Sequence, residues 1–402
     1  MFYNPIKRIL KLNVNILSLS LFNLLSSMSL SAFLLMQQHS LISIFNQPTQ
    51  MGILLSIGFI PRIFLMPLGG LVADKYEKRI LLLYVNYLRL ATFCLLVIYF
   101  HLDNINLMMI YISTFIVGSL DAFQVPVVNA MLPRLVPKEG LYKANTLLSA
   151  SSQLGLVSGP FISGFILDRY PLTMALILNV IAIAIACICI HCLPSVAIYA
   201  KQKKKGIIEG LSEGVAIIRQ FSFGHQLVLL AVLNFIFNGV LIAITPLWVQ
   251  QIFDYQASLV GELNATFGFG VVLLSIRSIV SKNKVNAPLI VKACLLAIMI
   301  CILSSINNLA AALLIYAIFG YLVSSINVTI VSDLQCRIPK ENIGIAISIT
   351  VFLAQAFLPI SFLLISMCIQ VGLSPSQVIL IYGIVLLFIL LVMQVAKYLK
   401  HR

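Results

Sequence analysis

Three ionisable side chains of this chain lie inside long apolar runs, where charge is costly. Arg62, Arg89 and Asp121 are each flanked on both sides by mostly hydrophobic residues. Charged groups at membrane depth mark substrate, ion or proton pathways by default. A carboxylate beside guanidinium groups can pair with them or take up a proton. The first candidate chemistry is therefore charge pairing and proton transfer inside a membrane.

The depths of the three residues predict that they form one cluster. Counted from the cytoplasmic ends of their helices at about 1.5 Å per residue, Arg62 is roughly 17 Å deep, Asp121 roughly 15 Å and Arg89 roughly 14 Å. A proton that neutralises Asp121 would free an arginine to hold an anionic substrate, and substrate release would let the pair form again. This is our antiport hypothesis. A static ion pair that fixes helix packing is the open alternative.

Other polar residues in apolar runs are weaker candidates. Glu262 lies near the outer end of the eighth run, either as a second proton site or, as we favour, as a solvated charge at a helix end. Asp333 and Arg337 are four residues apart and fit a local ion pair. Amide side chains could line a cavity or make interhelical hydrogen bonds; they are Asn23, Gln124, Gln153, Asn234, Asn238, Asn264 and Gln355.

A cluster of soft ligands occurs at the end of the sixth run. Cys187, Cys189, His191 and Cys192 are close in sequence and could hold a soft metal. On a helix, however, they point in several directions. We interpret them as small apolar filler and expect no metal site and no cofactor.

The composition places these residues in a polytopic membrane protein. Of 402 residues, 61% are hydrophobic and 9% are charged, and the mean hydropathy is +1.06. Soluble domains are about 25% charged. This excludes a soluble enzyme, a nucleic-acid-binding domain and a disordered chain, although the net charge is +14.

Twelve apolar runs have the length of about 20 residues that a helix needs to cross a bilayer. They predict an all-α fold of two six-helix halves, residues 1–193 and 226–402, joined by a linker at 194–225. The linker carries helically spaced apolar residues, which fit a short surface helix or a plain solvated segment. The predicted spans are 12–37, 50–73, 80–100, 105–131, 143–167, 171–193, 226–251, 257–280, 286–305, 308–331, 341–368 and 374–397.

The basic residues predict the orientation. With the N-terminus inside, 23 of the 26 Lys and Arg residues fall in cytoplasmic segments, and only Arg169 falls outside. Arg62 and Arg89 lie within helices. Such an asymmetry follows the positive-inside rule and assigns the net positive charge to topology and anionic lipid. We therefore expect both termini in the cytoplasm.

A short repeat indicates that the two halves are related. Pro-Lys-Glu occurs at 137–139, after the fourth predicted helix, and again at 339–341, after the tenth. The copies are 202 residues apart. Duplicated halves are the usual architecture of secondary transporters.

The loop after the second helix carries the first family resemblance. The sequence Gly69-Gly-Leu-Val-Ala-Asp-Lys-Tyr-Glu-Lys-Arg79 resembles the conserved loop motif G-x-L-a-D-r-x-G-r-k of the major facilitator superfamily, with Glu77 in place of the later glycine. The resemblance implies a cytoplasmic gating loop. Its candidate residues are Gly70, Asp74, Lys78 and Arg79.

The fifth helix carries a glycine seam, which we define as Gly155, Gly159, Pro160 and Gly164. It resembles the G-x-x-x-G-P-x-x-G-G motif of exporters in the same superfamily, with Ser163 in place of one glycine. Small residues permit close helix packing, and proline permits a kink. We expect the seam to allow tight packing between the halves and to act as a pivot.

The resemblance is most detailed over residues 50–165. Ile60-Pro61, the stretch from Asp121 to Pro126, the stretch from Asn129 to Pro137, and Ala144-Asn145 are similar to one branch of the superfamily. That branch contains macrolide-efflux permeases and enterobactin-type siderophore exporters. The second half agrees with it only in helix count and in the short repeat.

The resemblance implies a secondary active transporter that exports a siderophore or a drug by alternating access and proton antiport. No phosphate-binding loop is present, so ATP is not the direct energy source, and Gly268-Phe-Gly270 fits a packing point better than a dinucleotide loop. The two buried arginines favour an anionic siderophore. An importer of the same fold is the alternative, and the lack of catalytic clusters argues against a membrane enzyme or receptor.

The expected surroundings follow from this interpretation. We expect a multi-pass protein of a bacterial inner membrane that acts as a monomer. Its partners would be a small-molecule substrate, protons and membrane lipid, with no nucleic acid.

Overall fold

The computed structural model describes residues 14–102, 106–136, 141–195, 224–280, 288–337, 350, 352 and 354–400. Within these ranges the chain is helical and contains no strand. The helices are α1 Val14–His39, α2 Met51–Lys75, α3 Lys78–His101, α4 Leu107–Leu135, α5 Leu141–Leu167, α6 Leu172–His191, α7 Gly224–Asn238, α8 Thr245–Phe253, α9 Ala257–Val280, α10 Leu289–Leu303, α11 Leu309–Arg337, α12 Leu358–Gln370 and α13 Pro375–Lys400.

The fold class predicted from the apolar runs is confirmed. Ten helical segments in the described part of the chain are long and apolar enough to cross a membrane. The shorter apolar helices Leu289–Leu303 and Ala354–Gln370 correspond to the ninth and eleventh predicted spans. The seventh span, Gly224–Phe253, is a continuous path formed by α7, the π-helical turn Gly239–Ile244 and α8.

The chain forms two compact units. One comprises Met1–Gln37 and Ile60–Gln202, and the other comprises Gln38–Phe59 and Lys203–Arg402. The division into two halves at the linker stays a prediction. In the two units, the segment Gln38–Phe59, which precedes the linker, is grouped with residues that follow it. Most of the linker, with its expected surface helix, lies outside the described residues.

The first unit has an apolar core contributed by α1, α3, α4, α5 and α6. Phe22, Leu82, Met131 and Ile190 are fully buried there. Leu88 and Leu95 lie on the other face of α3 and are exposed. Because lipid is as apolar as a protein core, exposed leucines on a membrane helix are an ordinary lipid-facing surface.

Close helix crossings recur in the two units. A Cβ at Gly69 on α2 would lie 2.8 Å from the Ala122 carbonyl oxygen on α4. A Cβ at Gly270 on α9 would overlap the Ala317 carbonyl oxygen on α11. Gly270 lies about as far into the second half of the sequence as Gly69 lies into the first. The predicted packing point at Gly270 is thus a close contact between two helices. The Pro-Lys-Glu copies themselves lie outside the described residues.

Candidate functional site

Arg62, Arg89 and Asp121 meet in the first unit, although they come from three different helices. The Arg62 Nε atom lies 3.1 Å from Asp121 Oδ2, and the Arg89 Nη2 atom lies 3.6 Å from Asp121 Oδ1. Helices α2, α3 and α4 each contribute one residue to this cluster. One carboxylate is therefore shared by two cations at membrane depth.

The three side chains differ in their access to the surroundings. The side chain of Arg89 is completely buried, and that of Asp121 is 5% exposed. The side chain of Arg62 remains 24% exposed. Arg62 is therefore the most exposed member of the cluster.

Arg89 is held from its other side by a buried polar chain. Its Nη1 atom donates to the Ser26 hydroxyl at 2.8 Å, and that hydroxyl donates to Gln124 Oε1 at 2.7 Å. Ser26 is completely buried on α1, and Gln124 lies one turn after Asp121 on α4. These bonds satisfy part of the guanidinium and fix its position.

Gln124 was predicted as a polar candidate, whereas Ser26 was missed. Several serines recur along α1, and nothing in their spacing distinguishes Ser26 from the others. Ser26 is distinguished only by its place in the folded chain, because it lies on the face of α1 that meets α3 and α4.

Most of the other amide candidates make hydrogen bonds instead of lining open space. Asn23 Nδ2 donates to the Leu148 carbonyl and to the Ser152 hydroxyl, at 2.9 and 2.6 Å. Asn238 donates to Asn234 at 2.9 Å. In the second unit, Asn234 also borders a mainly apolar cleft.

Glu262 belongs to the second unit. It is half-buried near the beginning of α9, and it takes part in neither of the ion pairs observed among the described residues. Asp333 accepts a hydrogen bond from Gln226 Nε2 at 2.7 Å, and the side chain of Arg337, its predicted partner, lies outside the described set.

The predicted gating loop lies at the junction of α2 and α3. Gly70 and Asp74 are within α2, which ends at Lys75, and the surroundings of Gly70 and the side chain of Asp74 are outside the described set. Lys78 begins α3 and is buried. Arg79 Nη2 donates to the His191 carbonyl oxygen at 2.7 Å, which places a cation at the C-terminal end of α6.

The glycine seam packs against α1. A Cβ at Gly155 would overlap the Leu24 carbonyl oxygen, and one at Gly159 would overlap the Ser31 hydroxyl and the Met28 carbonyl. Pro160 and Gly164 are also buried, and α5 continues through the proline. We expected this seam to pack between the halves, but these contacts of Gly155 and Gly159 lie within the first unit, because the small residues admit the α1 backbone.

The soft-ligand cluster is dispersed on α6. Cys187 and Cys189 are buried, whereas Cys192 is exposed, and all three are free thiols. The His191 ring is hydrogen-bonded to the Tyr87 hydroxyl. Within the described ranges, no group of three His, Cys, Asp or Glu side chains is arranged to hold a metal ion.

Comparison with known proteins gives a family match over most of the chain. The family model described as Major Facilitator Superfamily matches residues 17–362. Macrolide efflux protein A of Streptococcus pyogenes is 22% identical over 219 residues, which cover 54% of this chain and 54% of that protein. An MFS-type transporter of Bacillus subtilis, YfiS, is 21% identical over 58% of this chain and 51% of its own length. The matches thus span about half the length of these relatives.

Solved structures agree in fold. A D-xylose–proton symporter superposes with a TM-score of 0.74 at 14% identity, covering 94% of this chain and 96% of that chain. The nucleoside transporter NupG gives a TM-score of 0.73 at 14% identity, covering 95% and 99%. At such low identity the likeness concerns the fold alone.

Proposed function

Because this chain belongs to the Major Facilitator Superfamily, we propose that it exports a small organic molecule, a drug or a siderophore, across the cytoplasmic membrane in exchange for protons. The observation that carries the proposal is the buried Asp121 carboxylate between Arg62 and Arg89. An ionisable group at this depth is costly and is kept for transport or proton relay. The macrolide-efflux relatives support the outward direction.

The two arginines have different roles in this proposal. Arg89 is completely buried and tethered to Ser26, so it stays beside Asp121 throughout the cycle. Arg62 is partly exposed and has the shorter distance to the carboxylate. Arg62 is therefore the partner that leaves when Asp121 is protonated or when cargo arrives.

Proton exchange requires that cargo and proton compete. A cargo with a cationic amine can take the place of Arg62 beside the ionised Asp121, and a proton on Asp121 removes that attraction. The two ligands then exclude each other, which is the condition for antiport. This argument favours a cationic cargo and reverses the anionic preference expected from the sequence.

Proton-coupled uptake of an anion is the second candidate function. The partly exposed Arg62 guanidinium favours it, since an anion can pair with Arg62 once Asp121 is protonated. Proton and anion would then promote each other's binding and travel together. The charge of the cargo therefore predicts the direction of transport.

The remaining assignments are part of the same proposal. We place both termini in the cytoplasm of a bacterial cell and treat the chain as a monomer. The loop residues Gly70, Asp74, Lys78 and Arg79 serve gating in this proposal. Glu262 remains a secondary candidate for proton binding.

Transport by everted membrane vesicles with an acidic interior tests the export proposal. Vesicles that contain the wild-type protein should accumulate erythromycin, a macrolide with a tertiary amine, and collapse of the gradient should release it. Asp121→Asn should reduce accumulation to the level of vesicles without the protein, because the exchangeable proton is lost. Asp168→Asn, at an exposed carboxylate, is the matched control and should transport normally.

Two results would contradict the proposal, the first in its coupling site and the second in its direction. Normal accumulation by Asp121→Asn, with the protein folded, would remove Asp121 from the coupling site. Uptake of a catecholate siderophore by right-side-out vesicles under an inward proton gradient, with no erythromycin export, would favour the anion importer.

A further inference from the structure

Lys292 is a buried cation of the second unit that the proposed transport cycle does not use. The sequence assigned it to the basic residues of the cytoplasmic segments, but it lies inside α10, which begins at Leu289, and only 5% of it is exposed. A lysine is almost never buried unless it is paired. Its burial therefore requires a counter-charge.

Among the described residues, the Lys292 ammonium has one neutral partner. Its Nζ atom donates to the Thr329 hydroxyl on α11 at 3.1 Å, and that hydroxyl donates in turn to the Ser325 carbonyl oxygen at 2.7 Å. Lys292 forms no ion pair with any residue in the described ranges. An ammonium group carries three donor hydrogens, so it has donors left for another ligand.

The acidic residue of α11 does not balance this charge. Asp333 lies one turn after Thr329 and accepts a hydrogen bond from Gln226 Nε2 on α7 at 2.7 Å. It forms no ion pair with Lys292. The carboxylate is thus held by an amide of another helix, and the ammonium remains without a negative partner in the described part of the second unit.

The position of Lys292 within α10 is also unfavourable for a cation. The first turn of this helix contains no acidic residue. The first turn of a helix carries a partial positive charge, which attracts anions and repels cations. Long side chains of a helix point back toward its N-terminus, which brings the ammonium toward this positive end. A bound anion would relieve this repulsion together with the cost of burial.

In the first half of the sequence, a carboxylate balances the corresponding cation. Arg89 lies 203 residues before Lys292, close to the 202-residue separation of the two Pro-Lys-Glu copies. The Arg89 Nη2 atom lies 3.6 Å from Asp121 Oδ1, whereas the residue 203 positions after Asp121 is Ser324. The second half therefore has a buried cation without the acidic partner, and an anion from solution can take that partner's place.

We propose that Lys292 and Thr329 form a binding site for a small monovalent anion, either chloride or a carboxylate. One ammonium balances one negative charge, and its small exposed fraction excludes bulky ligands. Thr329 positions the ammonium, and the anion accepts the remaining donor hydrogens. By the predicted orientation, the site lies toward the cytoplasmic end of the second unit. It does not depend on the proposed transport function.

Thermal unfolding of the purified protein in detergent, at constant ionic strength, tests the site. When chloride replaces methanesulfonate, a bulkier anion, the unfolding midpoint of the wild type should rise by a few degrees and saturate, because a ligand that binds only the folded state stabilises it. Acetate in place of chloride distinguishes a carboxylate from a halide, since the preferred anion gives the larger rise. A midpoint unchanged by both anions would mean that water alone solvates the ammonium, and would overturn the proposal.

Two variants remove the need for an anion in different ways. Lys292→Met should lose the rise because the cation is gone, and it should fold because an apolar chain replaces a buried charge. Thr329→Asp should lose the rise because a carboxylate of the chain then pairs with Lys292. The matched control is Arg277→Gln, at an exposed cation that donates to the Tyr321 hydroxyl at 2.6 Å, and it should keep the rise. An undiminished rise in either Lys292→Met or Thr329→Asp would reject the site.

Discussion

Two arginines share one carboxylate in this protein, yet their surroundings give them unequal tasks. Arg89 has no exposed surface and donates to Ser26, whereas the Arg62 side chain is 24% exposed. Removing one member of a buried charge cluster leaves the others poorly compensated, and the cost grows with burial. Arg89 is therefore assigned a structural role, and Arg62 is assigned the role of the exchangeable cation.

This difference predicts opposite outcomes for two similar substitutions. Arg89→Gln should lower the free energy of unfolding by about 3–5 kcal/mol, because Asp121 loses a buried partner and Ser26 loses its donor. Arg62→Gln should fold nearly as well but lose transport. Denaturant unfolding and vesicle transport, measured on both variants, check this. Equal stability of the two variants would contradict the assigned roles.

The sequence was sufficient to predict that these charges meet, but not how each is held. A helix rises by about 1.5 Å per residue, so depth can be counted along the chain. The rotation of one helix relative to another cannot be counted in this way. That is why Ser26, at the correct depth on α1, was not distinguished from its neighbouring serines.

At the scale of elements, α9 and α11 cross through two glycines that face each other's backbone. A Cβ at Gly270 would overlap the Ala317 carbonyl oxygen, and one at Gly320 would overlap the Phe267 carbonyl oxygen. In a membrane, such close approach supplies packing energy that hydrophobic burial between helices cannot. The crossing therefore cannot accommodate a larger side chain unless the two helices separate.

Alanine at either glycine should destabilise the second unit. Gly270→Ala and Gly320→Ala should each cost about 1–3 kcal/mol, because the helices must separate to admit a methyl group. Gly224→Ala, at an open position, should be neutral or slightly stabilising. The stability of each variant is measured by heating the protein and recording the fraction that remains monodisperse. A Gly270→Ala variant as stable as Gly224→Ala would refute the close crossing.

The glycine motifs were visible in the sequence, but their partners were not. The lipid-facing sides of these helices are as apolar as the buried sides, so the hydrophobic pattern carries little directional information. Gly155 and Gly159 were therefore expected to pack between the halves, whereas they receive the backbone of α1. Helix count and type depend on length and composition, which is why they were predicted well.

At the scale of the whole molecule, the predicted division at the linker and the observed units differ at Gln38–Phe59. A linker is recognised by its length and charge, and both indicate residues 194–225. The segment Gln38–Phe59 has no distinctive length or charge in the sequence, because it consists of two helix ends and a short connection. Its membership depends on side-chain contacts such as those of Ser366 and Gln38.

The central claim is that cargo and proton compete for Asp121, and proton release on binding tests it most directly. Erythromycin added to purified protein in weakly buffered detergent solution, at a pH low enough for Asp121 to carry a proton before cargo binds, should release protons from the wild type and none from Asp121→Asn. Competition requires this sign, because the cationic cargo binds only the ionised carboxylate. Binding without proton release, or with proton uptake, would contradict the account.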